Sequence, residues 1–380
     1  MDFSLTPDQE LIINAAKEVC LNEFAKRAKE TGENSVFPKE NIKIMAEMEM
    51  AGIPFPEEYG GLGSDFLTWT IIGEEISHAC ATTGTIYGAH MLACYPIFLF
   101  GTEEQKKKFL TPLAKGEALG AFGLTEPNAG SDASAVQTKA IKDGNDYILN
   151  GSKLFITNAG QAGIYVIITK TAPDKGARGM TAFIVEKDTP GFKIGKNEKK
   201  MAFPGLPNCE LIFEDCRIPK ENMLLTEGKG FRVAMQTLDV GRIGIGIGSC
   251  GLARAAFEEA AKYSKVRKQF GQLISAFQAV QFMLANMATE IEAAKLLVLK
   301  AASLKDSNGK FEKFAAMAKV YASEMCMRVT NQAVQIHGGY GYTKEYAVER
   351  YFREAKLFDI VEGTSEIQRG VIANHILKEF

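Results

Sequence analysis

The sequence predicts a mainly helical α+β protein in three parts. These are an N-terminal helical domain (1–120), a middle antiparallel β domain (121–229) and a C-terminal four-helix-type bundle (230–380). Two observations predict this. All twelve prolines lie at or before Pro219, and a long proline-free stretch rich in Ala, Glu, Lys, Leu and Met reads as helix, because proline removes a helical donor and clashes with the preceding turn. The middle third instead consists of short β-branched and aromatic runs parted by Asp-Gly, Asn-Gly and Pro-Gly. Strands spaced about 8–12 residues apart, with no helical pattern between them, make an antiparallel sheet or small barrel.

In order along the chain, Thr6-Pro7 opens a first helix as N-cap and first helical residue, and Leu11, Ala15 and Val19 follow at helical spacing. The Gly-rich "PEEYGGLGSD" (56–65) reads as a turn between helices. The strands are expected within "AIKDGNDYILNGSKLFITNA", "IYVIITKT", "GMTAFIVEKDTPGFKIG" and "CELIFEDCRIP". In the last third, Phe277, Val280, Leu284, Met287, Ile291, Ala294 and Val298 alternate gaps of three and four, the pattern of a bundle seam.

Composition narrows the function classes. A formal net charge of −2 gives no reason to expect nucleic acid or an anionic membrane as partner. Seven cysteines, an odd number without a C-x-x-C pair, fit free and mostly buried thiols in a reducing compartment. The N-terminus shows no signal-peptide pattern and the longest apolar run is half a membrane span, so a cytoplasmic protein without integral membrane contact is expected. Four histidines without ligand spacing predict no metal.

Gly246, Gly248 and Gly251 follow the G-x-G-x-x-G order of a dinucleotide-binding turn. Such a turn needs a preceding strand, and an acidic residue about 20 positions on. Here the preceding "FRVAMQTLDVGR" has helical spacing and position 271 is glycine. The pattern reads instead as small residues on a helix where another backbone comes close.

The stronger chemical signal is "FDIVEGTSEIQRG" (358–370). Ser365 and Gln368 form an S-x-x-Q capping box that starts a helix near Glu366, leaving Glu362 on the loop before it. Its apolar neighbours Ile360 and Val361 raise its pKa and the helix N-terminus lowers it. If desolvation wins, the value approaches about 6–7, suited to a general base. Three further turn-rich segments, "GLTEPNAGSD" (123–132), "RKQFG" (267–271) and "QIHGGYGY" (335–342), offer backbone amides, hydroxyls and an arginine where a phosphate could sit.

With "FITNA" (155–159), "DVGR" (239–242) and "EGTSEIQ" (362–368), these ordered motifs resemble the acyl-CoA dehydrogenases, closest to the short-chain or butyryl-CoA type, over nearly the whole chain. The resemblance implies FAD held between the β domain and the C-terminal bundle, in a homotetramer built as a dimer of dimers. It places the flavin against Phe122, Leu124, Thr125 and Ser131, and against Phe155, Ile156 and Thr157, where Phe155 replaces a frequent tryptophan. Arg267, Phe270, Gln278, Gln335, Ile336, Gly338 and Gly339 would reach the FAD of a neighbouring subunit, and Thr364, Ser365 and Glu366 would hold its nucleotide parts. Ser131, Asp239, Arg242, Val361 and Gly363 would contact the acyl-CoA.

The same resemblance makes Glu362 the catalytic base. It would remove the α-proton of a thioester whose carbonyl is polarised by the base's own N–H and a flavin hydroxyl, while hydride leaves the β-carbon for the flavin. Some branches of the family carry the base at the third residue of D-x-x-R; here that residue is Gly241. The implied activity is α,β-dehydrogenation of a short-chain acyl-CoA to a 2-enoyl-CoA, or the reverse reduction, with electrons exchanged with electron-transferring flavoprotein. Val361, where short-chain relatives often have tyrosine, and Pro204 and Pro207 in "MAFPGLPNCEL" (201–211) keep a bulkier aryl or branched acyl group open as an alternative. A non-catalytic acyl-CoA-binding subunit is the alternative of another class; it would dispense with the base or the flavin motifs, both of which are present.

Overall fold

The computed structural model describes residues 4–380, so the start of the first predicted domain (1–3) lies outside the described residues. Helix α1 (Pro7–Val19) begins as Thr6-Pro7 predicts: the Thr6 side chain accepts from Gln9 N–H, and Gln9 accepts from Thr6 N–H in return. A π-helical turn (Cys20–Phe24) leads to α2 (Ala25–Glu33), and α3 (Lys39–Glu47) follows. The Gly-rich stretch is the expected turn between helices, and at Gly61 a Cβ would meet the Gly52 carbonyl at 2.5 Å. Asp65 then caps α4 (Phe66–Ala79), and α5 (Ala81–Phe100), α6 (Glu103–Gln105) and α7 (Thr111–Ala114) complete this part.

The middle part is one eight-stranded sheet. Its strands are β1 (Gly120–Gly123), β2 (Lys139–Asp143), β3 (Asp146–Thr157), β4 (Ile164–Lys170), β5 (Met180–Glu186), β6 (Phe192–Asn197), β7 (Asn208–Pro219) and β8 (Met223–Leu224). The spatial order is β6-β7-β3-β2-β4-β5-β8, with β1 on β4. The predicted purely antiparallel sheet needs correction, because β1 runs parallel to β4 from Gly120↔Ile164 to Gly123↔Ile167, and β2 meets β4 in parallel at Lys139↔Lys170. Turn residues dictate direction only for strands joined by a hairpin, such as β2–β3 through Gly144; β1 enters from the helical part and is free of that rule.

Inside the sheet Tyr147, Leu149, Tyr165, Phe183 and Phe213 form one core. The opposite face of β4 and β5, with Val166, Ile168, Ala182 and Ile184, joins the larger helical core. These two strands are therefore buried on both faces, which is why they read as unbroken apolar runs.

The C-terminal part comprises α8 (Gly230–Ser264), a small hairpin of β9 (Lys268–Gln269) and β10 (Gln272–Leu273), α9 (Gln278–Asp306), α10 (Glu312–His337), α11 (Val348–Ile360) and α12 (Ser365–Ile376). The glycine pattern lies in the middle of α8, as rejecting the dinucleotide turn required. A Cβ at Gly246 would meet Val298 at 2.9 Å, and one at Gly251 would meet the backbone of Glu74 and His78. Close helix packing accounts for both.

The predicted seam is buried at Met287, Ile291, Ala294 and Val298. Its first half differs. Phe277 precedes α9 as its N-cap, and Val280 and Leu284 are only partly buried, because the first turns of α9 stand clear of the helices covering the rest. All seven cysteines are free and buried. Among the described residues no helix is long and apolar enough to cross a membrane.

Candidate active site

A cavity of about 850 Å³ opens where all three parts of the chain meet, a size suited to a cofactor together with part of a substrate. One wall is β1 and the segment after it, with Phe122, Leu124, Thr125, Glu126 and Ser131, backed by Phe155, Ile156 and Thr157 of β3. The opposite wall is α8, with Leu238, Gly241, Arg242 and Ile245, and the turn between α11 and α12, with Val361 to Thr364. Gly84, Thr85, Gly88 and Leu92 of α5 also line it.

Glu362 belongs to a sharply built turn. Helix α11 ends at Ile360, Val361 is extended, and Glu362 itself takes the left-handed conformation at φ 56°, with Gly363 at φ 93°. A non-glycine residue at positive φ costs on the order of 1 kcal/mol and persists only when its surroundings fix it. Here they do. Gln368 Nε2 donates to the carbonyls of Glu362 (2.9 Å) and Gly363 (3.0 Å), while Lys319 Nζ donates to those of Asp359 (3.1 Å) and Gly363 (2.9 Å). Gly363 is required twice over, since a Cβ there would also lie 2.5 Å from Gln368 Nε2.

The turn places the Glu362 carboxylate against α8 at its glycine. A Cβ at Gly241 would stand 2.6 Å from Glu362 Oε2 and 2.8 Å from Leu92. Oε2 is buried without a hydrogen-bond partner among the described residues. Burial pushes the carboxyl up to about 7, against the opposing charges of Arg242 and Lys319. Desolvation therefore outweighs the attraction of these two charges. The Glu362 N–H likewise finds no carbonyl partner among the described residues.

The facing wall is tied down by a buried ion pair. Lys153 Nζ, fully enclosed, lies 2.6 Å from Glu126 Oε1 and donates to the Leu124 carbonyl at 3.2 Å. Glu126 also accepts from the Gln137 and Thr138 backbone and from the Thr138 hydroxyl. Burial alone would raise its pKa, but the charge of Lys153 and these hydrogen bonds hold it below the usual carboxylate range.

Of the predicted residues, Phe122, Leu124, Thr125, Ser131, Phe155, Ile156, Thr157, Arg242, Val361, Glu362, Gly363 and Thr364 all line this one cavity. Asp239 does not; it is paired with Arg242 in α8, and burial raises its carboxyl to about 6. Arg267, Ile336, Gly338 and Gly339 line a second cleft of about 470 Å³ that shares no residue with the first. Arg267 stacks on the Tyr340 ring there. Gln278 and Gln335 are exposed, and Phe270, at the tip of the β9–β10 hairpin, is 93% exposed.

The predicted capping box is displaced by one residue. Thr364 is the N-cap and accepts from Ile367 N–H at 3.4 Å, so Ser365 starts α12, with its hydroxyl buried and unpartnered. Gln368, freed from the box, reaches the base turn instead. Glu366 is exposed.

The sequence reading missed Lys153, Glu126, Lys319 and Gln368 as site residues. A signal existed for Lys319, which lies between the buried Ala315, Ala318 and Ala322 on an otherwise apolar helix face. The residues fit a flavin: Phe155, 55% exposed at a β-bulge with φ 59°, presents an uncovered ring to the cavity opposite an unpartnered carboxylate oxygen.

Comparison with known proteins agrees with this arrangement. Models of the acyl-CoA dehydrogenase N-terminal, middle and C-terminal domains match residues 6–117, 121–216 and 228–377. The chain is 50% identical over 379 residues to the short-chain specific acyl-CoA dehydrogenase of Clostridium acetobutylicum, covering 100% of both. It is 49% identical to the acryloyl-CoA reductase (NADH) of Anaerotignum propionicum, covering 100% of this chain and 96% of that one. Among solved structures it superposes on butyryl-CoA dehydrogenase from Megasphaera elsdenii with TM-score 0.97 at 46% identity, covering 99% of this chain and 100% of that one. It matches a chain solved in work on the electron transferring flavoprotein of Acidaminococcus fermentans with TM-score 0.98 at 50% identity, again covering 99% and 100%.

Proposed function

The chain belongs to the acyl-CoA dehydrogenase family and is a flavin-dependent oxidoreductase, and from that premise we propose that it interconverts a short-chain acyl-CoA and its 2-enoyl-CoA with Glu362 as general base. The observation that carries this is the Glu362 carboxylate, whose Oε2 is buried without a partner among the described residues and which lines a cavity joining all three parts of the chain.

FAD is the cofactor of this family. Phe122, Leu124, Thr125, Ser131, Phe155, Ile156 and Thr157 would hold it, with Thr364 on the opposite wall. When bound, it supplies the two-electron acceptor for the hydride of the β-carbon. The protein's own part is proton chemistry and alignment. Glu362 in its charged form takes the α-proton; a carboxyl of pKa about 7 is half ionised at neutral pH and matches the task in either direction. The Glu362 N–H is available to the thioester carbonyl, where a preorganised donor lowers the barrier to enolate-like charge. The absence of a side chain at Gly241 lets the carboxylate lie against α8, and Leu92, Leu238 and Ile245 keep the site dry.

A bulkier acyl group is favoured as a second reading by two features of the cavity. Val361 leaves the space of a larger ring open, and Gly88 has nothing within 4 Å of where its Cβ would be. The second cleft, with Arg267, Ile336, Gly338 and Gly339 beside exposed Phe270, supports a homotetramer in which these residues and Gln278 and Gln335 reach a neighbour's FAD. Its relatives support electron-transferring flavoprotein as the redox partner.

The test is anaerobic bleaching of the flavin by butyryl-, isovaleryl-, hexanoyl- and 3-phenylpropionyl-CoA. At least one should reduce it rapidly in the wild type. Glu362→Gln should keep the bound flavin and lose turnover by orders of magnitude; a Gln variant with near-wild-type rates removes the base assignment.

A further inference from the structure

Lys319 is an expensive residue where it stands. Its side chain is wholly enclosed between α10, α11 and the base turn. Among the described residues no carboxylate lies within ion-pair distance of its ammonium, whose partners are the carbonyls of Asp359 and Gly363. A buried charge without a counter-ion costs more than an apolar side chain of the same length would. Packing therefore does not explain it. The two carbonyls do, because they bracket Glu362 on either side. Its neighbour Ala318 packs against Gly246 of α8, where a Cβ would lie 3.7 Å from the Ala318 backbone.

We propose that Lys319 is a positioning residue for the reaction: its ammonium fastens the backbone on both sides of Glu362 and holds the left-handed turn that aims the carboxylate into the cavity. The proposal rests on the reading of Glu362 as base. Lys319 does not line the cavity and so acts through Glu362 and its turn. Gln368 provides a second, neutral tie to the same segment, so the turn has a fallback when the lysine is lost.

The elements next to the base turn carry further charged groups. Asp239 and Arg242 lie on α8, Lys319 and Glu324 on α10, Lys356 and Asp359 on α11, and Glu366 and Arg369 on α12. Glu126, Asp132 and Lys200 line the same cavity. His90 of α5 is held neutral by burial, its pKa down at about 4. Only Arg242 and Lys319 act appreciably on Glu362, both lowering its pKa. Removing Lys319 therefore leaves the base protonated over a wider range.

The test compares flavin-loaded wild type, Lys319→Met, Lys319→Gln and Glu362→Gln. In Lys319→Met, amide hydrogen exchange over residues 359–366 should accelerate. The acid limb of flavin reduction by the acyl-CoA that bleaches it fastest should move up by about 1 pH unit. The maximal rate should fall roughly 10- to 100-fold with KM little changed. Lys319→Gln keeps a donor but not the charge, so exchange should recover toward wild type while the limb stays shifted. If the Met variant does not fold, the Gln variant carries the charge test alone. An unshifted acid limb with wild-type exchange overturns the proposal and leaves Glu362 in place. Near-wild-type turnover in Glu362→Gln overturns the base reading instead, and the exchange result then decides the clamp by itself.

Discussion

Replacing Glu362 by glutamine should make the protein more stable at the same time as it makes it inactive, and only at neutral to alkaline pH. Burial lifts this carboxyl from 4.5 to about 7. A group bound more tightly to its proton in the folded state contributes stability that is complete below the unfolded value and lost as pH rises through the folded one. The window is therefore about pH 4.5 to 7. At roughly 1.4 kcal/mol per pH unit, the charged carboxylate costs the folded protein about 3 kcal/mol at pH 8, and less than about 1 kcal/mol at pH 5. Glutamine has the same shape and no charge, so it escapes the cost at every pH. Glu354, also buried with its carboxyl raised to about 7, is common to both proteins and cancels. Equilibrium urea unfolding of flavin-saturated wild type and Glu362→Gln at pH 5 and pH 8 measures the difference directly. A stability gap that is equal at the two pH values, or a variant less stable at pH 8, would refute the desolvation argument.

Acyl-CoA oxidation should rise through an apparent pKa near 7 as Glu362 ionises, and enoyl-CoA reduction should fall through the same value, since that direction needs the proton in place; stopped-flow flavin absorbance from pH 5.5 to 8.5 reads both limbs. Gly241→Ala puts a methyl within 2.6 Å of Glu362 Oε2, so turnover should drop at least about tenfold with flavin content unchanged, as kinetics and absorbance spectra would show. Lys153→Met leaves the Glu126 carboxylate buried and unpaired, a loss of about 3–5 kcal/mol, and should weaken FAD retention measured by gel filtration more than it changes KM for acyl-CoA.

The three-part architecture was legible because proline content and turn chemistry are local properties. The α1 capping box, the β2–β3 hairpin and the helical setting of the α8 glycines all follow from neighbours in sequence. What escaped is long-range. The β1–β4 pairing joins strands that no hairpin connects, and the Lys153–Glu126 tie spans 27 residues with no pattern to announce it. Glu362 was legible as a residue on a polar turn beside apolar neighbours. Its environment was only half legible, since burial depends on α8 offering a glycine at 241. The cap at Ser365 failed by one position because Thr364 competes for the same role with equal chemistry, and only the backbone angles at the turn decide between them.

Lys153 and Lys319, on opposite sides of the cavity, grip main-chain oxygens belonging to the protein itself. Neither depends on cargo for its partners. Both walls are therefore braced by bonds internal to the chain, and the bracing asks nothing of whatever the cavity receives.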